Sequence, residues 1–248
     1  METYSLFSDQ YHKLFVENYR FFAENIKKTG KSELIDKQYS LFFPSCGSKD
    51  KSEVQFLIYG QATNGWTPTF QVNKMEDDLL EKAIEFSNTT DEGEYCPLDW
   101  INKSWSSGKL YRKFFFNVMY KLANRYNNRG IDDKSWCKNV VWSNLMKISP
   151  AAGGNPYGEE WTCQFNGAKN LFSQEIEEIN PKFAIILTNW EWAKEFVQTN
   201  AGFSVDEKPQ GEFIQAQGTY GSTKIIVTKR PPVGNNEKCV DEIIQLIK

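Results

Sequence analysis

The chain has 248 residues, of which 40% are apolar, 15% aromatic and 25% charged, at a net charge of −3. That balance excludes disordered, collagen-like and low-complexity classes. Mean hydropathy is −0.57, no apolar run approaches the roughly 18 residues of a membrane span, and no basic-then-apolar leader follows Met1, so a soluble cytoplasmic protein is expected.

The single histidine, His12, sits in a helical pattern. This removes His-based triads and His-ligated zinc from consideration. Cys46, Cys96, Cys137, Cys163 and Cys239 are odd in number, widely spaced and without a C-x-x-C pair. They read as buried free thiols, and no metal and no cofactor is expected.

In chain order, residues 1–50 form an N-terminal helical extension. Its helix over 8–28 carries Tyr11, Leu14, Phe15, Tyr19, Phe22 and Ile26 at three- and four-residue steps, and Leu14, Phe15 and Phe22 are expected to be buried. Val54–Tyr59 is a short apolar strand ending at Gly60. A long loop leads to an acidic helix over 75–87, and a second helical stripe covers 109–127 through Leu110, Phe114, Val118 and Leu122. Asn139–Trp142 is the next strand, followed by Ser143-Asn144-Leu145 and a glycine-rich loop over 151–156. A helix over 163–179, a strand over 183–187 and a helix over 190–197 follow. Residues 211–217 read as an antiparallel or edge strand, 224–228 as the last core strand and 236–247 as a closing helix. Strands alternating with helices predict one α/β domain over 1–248, with three α/β/α layers about a mostly parallel four-stranded sheet.

Charge is unevenly spread. Residues 75–100 carry nine acids against Lys82, and residues 101–150 carry ten bases against Asp132 and Asp133. The basic stretch is interleaved with Trp105, Tyr111, Phe114, Phe115, Phe116 and Tyr126. It reads either as a source of phosphate contacts for nucleic acid or as a solvated face neutralised by the acidic stretch.

In parallel α/β folds the ligand crevice lies beyond the carboxyl ends of the strands. Four such ends carry Gly60-Gln61-Ala62-Thr63-Asn64-Gly65-Trp66, Ser143-Asn144, Thr188-Asn189 and Lys229-Arg230-Pro231-Pro232. Gly60 and Gly65 have P-loop spacing, but Trp66-Thr67 replaces the Lys-Ser/Thr that must hold phosphates. Asn144 either caps a turn or aims a carboxamide, donor and acceptor together, into the crevice.

The run Phe56–Trp66 resembles the first motif of the uracil-DNA glycosylase superfamily, Val140–Leu145 is similar to its base-reading strand segment, and Val227–Gly234 resembles its last motif before the closing helix. The chain looks most like a bacterial branch with a Gly-Gln-x-Thr-Asn-Gly-Trp loop. The resemblance implies a single, monomeric domain of that fold whose partner is DNA or a nucleobase-containing ligand. It implies removal of a damaged or deaminated base by N-glycosidic hydrolysis, with Gln61, Asn64 and Arg230 as the catalytic set. Gly60, Ala62, Gly65, Trp66, Phe70, Asn144 and Pro231 would bind substrate. In that scheme Asn144 reads the base edge, Trp66 or Phe70 stacks on it, and backbone N–H groups around Gln61 and Ala62 face the leaving anion. Arg230 meets that anion or a flanking phosphate. The chain departs from the pattern at Ala62, where an acidic or amide residue is usual, at Thr63 for proline, and at Arg230 for histidine. A non-catalytic module holding a base, nucleotide or single strand is the alternative. A small-molecule hydrolase or transferase is a third reading, for which no nucleophile-plus-base pair is visible.

Overall fold

The stripe that begins at Tyr11 forms a 20-residue helix because its apolar positions share one side and Ser8 caps it, the Tyr11 N–H donating to Ser8 Oγ. The computed structural model describes residues 2–3, 5–63, 65–90, 92, 94, 96–101, 114–129, 133–230 and 235–248. In chain order the elements are β1 (Glu2–Thr3), α1 (Asp9–Lys28), α2 (Ser32–Ile35), β2 (Gln38–Leu41), β3 (Ser45–Cys46), β4 (Phe56–Gly60), β5 (Thr69–Gln71), α3 (Leu79–Asn88), β6 (Thr89–Thr90), α4 (Phe114–Tyr126), β7 (Val140–Asn144), β8 (Ile148–Pro150), α5 (Glu159–Thr162), α6 (Phe165–Ile179), β9 (Phe183–Ile186), α7 (Trp190–Gln198), β10 (Phe203–Gln210), β11 (Ile214–Tyr220), β12 (Thr223–Thr228) and α8 (Asn236–Ile247). The expected helical start at 109–113, Leu110 included, lies outside the described residues, as do Trp105 and Tyr111 of the aromatic interleaving.

The main sheet has seven strands in the order β10-β11-β12-β9-β4-β7-β3. This corrects the expected count of four. Strands β12, β9, β4 and β7 pair parallel, while β3, β11 and β10 join antiparallel. Two strands of this sheet escape the sequence pattern, the two-residue β3 and, at the opposite edge, β10. Only Val205 of its eight residues is buried, and it ends in Lys-Pro-Gln, the blunted composition of a sheet edge. Residue 211, expected to open a strand, is instead the turn between β10 and β11, with Gly211 at φ 68°. The N-terminal region is likewise not wholly helical: β2 pairs with β5 and β8 in a separate three-stranded sheet, and β3 joins the main one.

The central strands bury both faces. On β4, Phe56 and Ile58 belong to one apolar core, Leu57 and Tyr59 to the other, as a period of two requires. Helices α1 and α6 pack together on the Leu57 side, α4 and α8 on the Phe56 side. Phe15 and Phe22 are fully buried as expected, whereas Leu14 is only half-buried.

Cys96 and Cys137 are joined in a disulfide, 41 residues apart in sequence, which corrects the expectation of five free thiols. Local spacing had no bearing on the pair, because folding brings the 96–101 segment onto the turn of 3-10 helix at Lys134–Asn139. Cys46, Cys163 and Cys239 are buried free thiols. Among the described residues no helix is long and apolar enough to cross a membrane, and no group of three or more His, Cys, Asp or Glu side chains could hold a metal ion.

Candidate functional site

Parallel pairing sets Gly60 directly opposite Asn144 at the ends of β4 and β7. The two-residue period puts Asn144 on the same sheet face as Val140 and Trp142, and Gly60 on that of Phe56 and Ile58. Gly60 has no side chain there, and the Asn144 carboxamide occupies the room: a Cβ on Gly60 would stand 2.4 Å from Asn144 Oδ1. Asn144 is 2% exposed. Above this pair opens a cavity of about 630 Å³, within the range of small-molecule sites. Gly60, Gln61, Ala62, Gly65, Trp66, Asn144 and Arg230 all line it. Asn64 and Pro231, the other two residues singled out in those loops, lie outside the described residues.

Loop-to-loop hydrogen bonds hold the mouth. Gln61 Nε2 donates to the Thr188 carbonyl at 3.1 Å, and Gln61 Oε1 accepts from Asn155 Nδ2 at 2.9 Å. Both ends of this side chain are therefore engaged, so Gln61 clasps three loops together. Thr63 Oγ1 lies 3.1 Å from Ser149 Oγ, and the Trp66 carbonyl accepts from Ser40 Oγ at 2.7 Å, which ties the first loop to the small sheet. Asn189, at φ 95°, accepts the Arg230 N–H on its Oδ1 at 2.8 Å. The Arg230 side chain is exposed. Phe70 is elsewhere. It is buried edge-on against Phe22, 6.4 Å between centroids, and beside Tyr39, and it does not line the cavity.

One wall is aromatic. Trp66 meets Trp142 edge-to-face at 4.9 Å and Phe86 at 5.1 Å, and Phe116 stands perpendicular to Trp142 at 5.0 Å. Trp100, Phe114 and Phe115 also line the cavity on this side. Sequence reasoning missed this wall except for Trp66. Its signal was the run Phe114-Phe115-Phe116. A helix turns about 100° per residue, so three consecutive aromatics cannot all face one core, and here Phe115 and Phe116 remain half-exposed on the crevice side.

The polar groups of the lining are unevenly matched. Among the described residues, three buried N–H donors of the lining residues have no hydrogen-bond partner: Trp66 Nε1, Trp142 Nε1 and Asn144 Nδ2. Among the described lining residues the only charged one is Arg230. A buried donor left unpaired costs roughly 1–3 kcal/mol, so each of these three atoms is short of an acceptor.

Beneath the floor, on the opposite face of the sheet, lies Lys147, fully buried. Its ammonium reaches Glu175 Oε1 at 2.6 Å, Ser143 Oγ at 2.7 Å and the Asn144 carbonyl at 2.5 Å. Tyr11 donates to the same Glu175 oxygen at 2.6 Å. Burial pushes the Lys147 ammonium below its ordinary pKa, against the pull of Glu175. Burial and the Glu175 carboxylate together push the Tyr11 phenol up.

Lys147 was counted in the basic stretch, and four of its described neighbours there are also paired, while Lys134 is exposed. Lys121 pairs with Glu237, Arg125 with Glu237 and Asp241, Arg129 with Asp133 at 3.6 Å, and Lys138 with Glu53 at 3.7 Å. The acids that answer these cations come from α8 and the loops, not from the acidic helix. Lys103, Lys109, Arg112 and Lys113 lie outside the described residues.

Neither the comparison with family models nor that with curated proteins gives a match.

Proposed function

We propose that the crevice takes up one planar, carbonyl-bearing base extruded from DNA, and that the protein is a uracil-DNA glycosylase-like enzyme that cleaves the bond between that base and its sugar. The observation that carries this reading is an aromatic-walled cavity whose lining includes Trp66, Trp142 and Asn144, each with an N–H donor that has no partner among the described residues, and no carboxylate among its described lining residues. Deamination replaces an exocyclic amine, which donates, by a carbonyl, which accepts. A donor-rich lining therefore favours uracil over cytosine, hypoxanthine over adenine and xanthine over guanine, because the amine would leave the same donors unpaired. The aromatic wall supplies a surface for a base removed from its stack.

In such a reaction the C1′–N bond breaks, its electron pair leaves with the base, water adds to the cation-like sugar, and the proton this water releases passes through solvent to the departed base anion. Donors and a guanidinium stabilise the departing anion without a group that titrates. Asn144 reads the base edge in this scheme. Gln61, clasped at both ends, holds the loops that shape the mouth. Arg230 faces the leaving anion or a flanking phosphate.

A second reading, recognition without cleavage, is favoured by the residue at position 62. Ala62 offers no group to orient water, and no described lining residue carries an imidazole or a carboxylate. One experiment separates the two. End-labelled oligonucleotides holding a single uracil, hypoxanthine or xanthine, beside their amino-bearing parents, are incubated with the protein, treated with alkali, and in parallel run on a native gel. Strand scission at the carbonyl-bearing base supports the glycosylase. Preferential retention without scission supports the binding module. Equal behaviour of carbonyl and amino partners, or no retention at low salt, sinks both.

A further inference from the structure

A lysine with no access to solvent is costly unless its charge is paired and its hydrogens are bonded. Lys147 meets both conditions through an unusual set of partners. An ammonium has three donor hydrogens, and its three acceptors are the Glu175 carboxylate, the Ser143 hydroxyl and the main-chain carbonyl of Asn144. Two of those three belong to the last two residues of β7. The carbonyl is thereby held from the face opposite the crevice, while the neighbouring Leu145 N–H is held by the Gly60 carbonyl at 2.9 Å. The peptide that carries the Asn144 side chain is thus fixed from both sides. Glu175, on α6, is anchored in turn by the Tyr11 hydroxyl of α1. Lys147, Ser143, Glu175 and Tyr11 do not line the cavity, and none of the four has a part in the chemistry described above.

We infer that Lys147 is a positioning residue: through its bond to the Asn144 carbonyl it sets the direction of the Asn144 carboxamide, with Glu175 as its counter-ion. The inference rests on the reading that Asn144 recognises the base. A well-packed apolar core at this place would serve stability as well as the ion pair. What an apolar core lacks is a donor for the strand-end carbonyl.

The test uses the full chain and three proteins: the parent, Glu175→Gln, which leaves the lysine and its bond to Asn144, and Lys147→Met/Glu175→Gln, which removes both charges at nearly constant volume. Side-chain amides are labelled with 15N, and the Asn144 pair is identified by its loss in Asn144→Ala. In the parent and in Glu175→Gln this pair should exchange slowly with water. In the double variant it should exchange at least ten times faster, and preference for the carbonyl-bearing base should fall at least tenfold while total oligonucleotide affinity is kept. A folded double variant with parental exchange and preference overturns the inference. If the double variant does not fold, the decision passes to the parent. A through-hydrogen-bond coupling between Lys147 15Nζ and the Asn144 13C carbonyl is expected, and its absence overturns the inference equally. If the parent itself binds no base, the functional reading fails, and the exchange and coupling data still decide the positioning role.

Discussion

Gly60→Ala is the smallest change that reaches the proposed recognition residue without replacing it. The new Cβ would lie 2.4 Å from Asn144 Oδ1 and 3.4 Å from Phe115 Cε2. The second distance is ordinary contact. The first requires the carboxamide to withdraw by about 1 Å to regain van der Waals separation. Asn144 is buried, so it must leave its rotamer or push its neighbours, at a cost of roughly 1–3 kcal/mol for an overpacked site. For a chain of this size that lowers Tm by about 2–4 °C per kcal/mol. The displaced carboxamide loses its alignment with the base edge, worth about 1–3 kcal/mol of discrimination, or roughly 5- to 150-fold. Gly47→Ala is the control. Its Cβ would fall 1.8 Å from the Cys137 carbonyl oxygen and 2.4 Å from the carbonyl carbon, main-chain atoms that cannot swing aside. Thermal scanning together with competition between uracil- and cytosine-containing oligonucleotides should show Gly60→Ala selectively impaired and Gly47→Ala globally destabilised. Retention of full base preference by Gly60→Ala at an unchanged Tm refutes the steric argument. So does a loss of Tm as large as that of Gly47→Ala.

Phe70→Ala should cost about 3–5 kcal/mol of stability, the usual price of deleting a buried phenyl ring, and leave base preference intact below its Tm; denaturant melts and the same competition assay check both. Arg230 is exposed and its side chain makes no hydrogen bond within the described structure, so Arg230→Ala should leave Tm within about 0.5 kcal/mol of the parent. Its salt dependence then identifies the role: a slope of log K reduced by about one marks a phosphate contact, while unchanged binding with a slower reaction marks the leaving base. Thiol titration in denaturant should count three free groups without reductant and five after reduction. In native protein at pH 8, Cys46 and Cys239, both pushed up to about 12 by burial, should resist alkylation. Burial pushes the His12 imidazole below its usual 6.5, against the pull of Asp9, Glu178 and Glu81. The unfolded chain therefore takes up this proton first as pH falls, and the stability tied to neutral His12 is lost from about pH 6.5 downward through its folded value. The urea midpoint of His12→Gln should fall less between pH 7 and pH 5 than that of the parent, and equal slopes would contradict this assignment.

Local rules on the chain decided a good deal. The three- and four-residue stripe of Tyr11 to Ile26 specified α1, and the apolar runs ending at Gly60, Asn144 and Thr228 specified core strands, because burial on both sheet faces needs continuous apolar sequence. Parallel pairing then carried Gly60, Gln61, Ala62, Trp66, Asn144 and Arg230 to one sheet edge, since loops after parallel strands must emerge at the same end. Three features depended on distance in space and had no local signature. Phe70 follows the first motif by only a few residues, yet the pairing of β5 with β2 turns it toward Phe22 and Tyr39 and away from the crevice. Cys96 and Cys137 looked like isolated thiols until the chain between them brought them together. Lys147, one more cation in a basic stretch, is drawn inside because its carboxylate partner stands on a helix 28 residues later. Periodicity reports which face of an element is apolar. Only tertiary packing decides which polar group finds its partner in the interior, and so which carboxamide is held beneath an aromatic-walled crevice with its donor still unpaired.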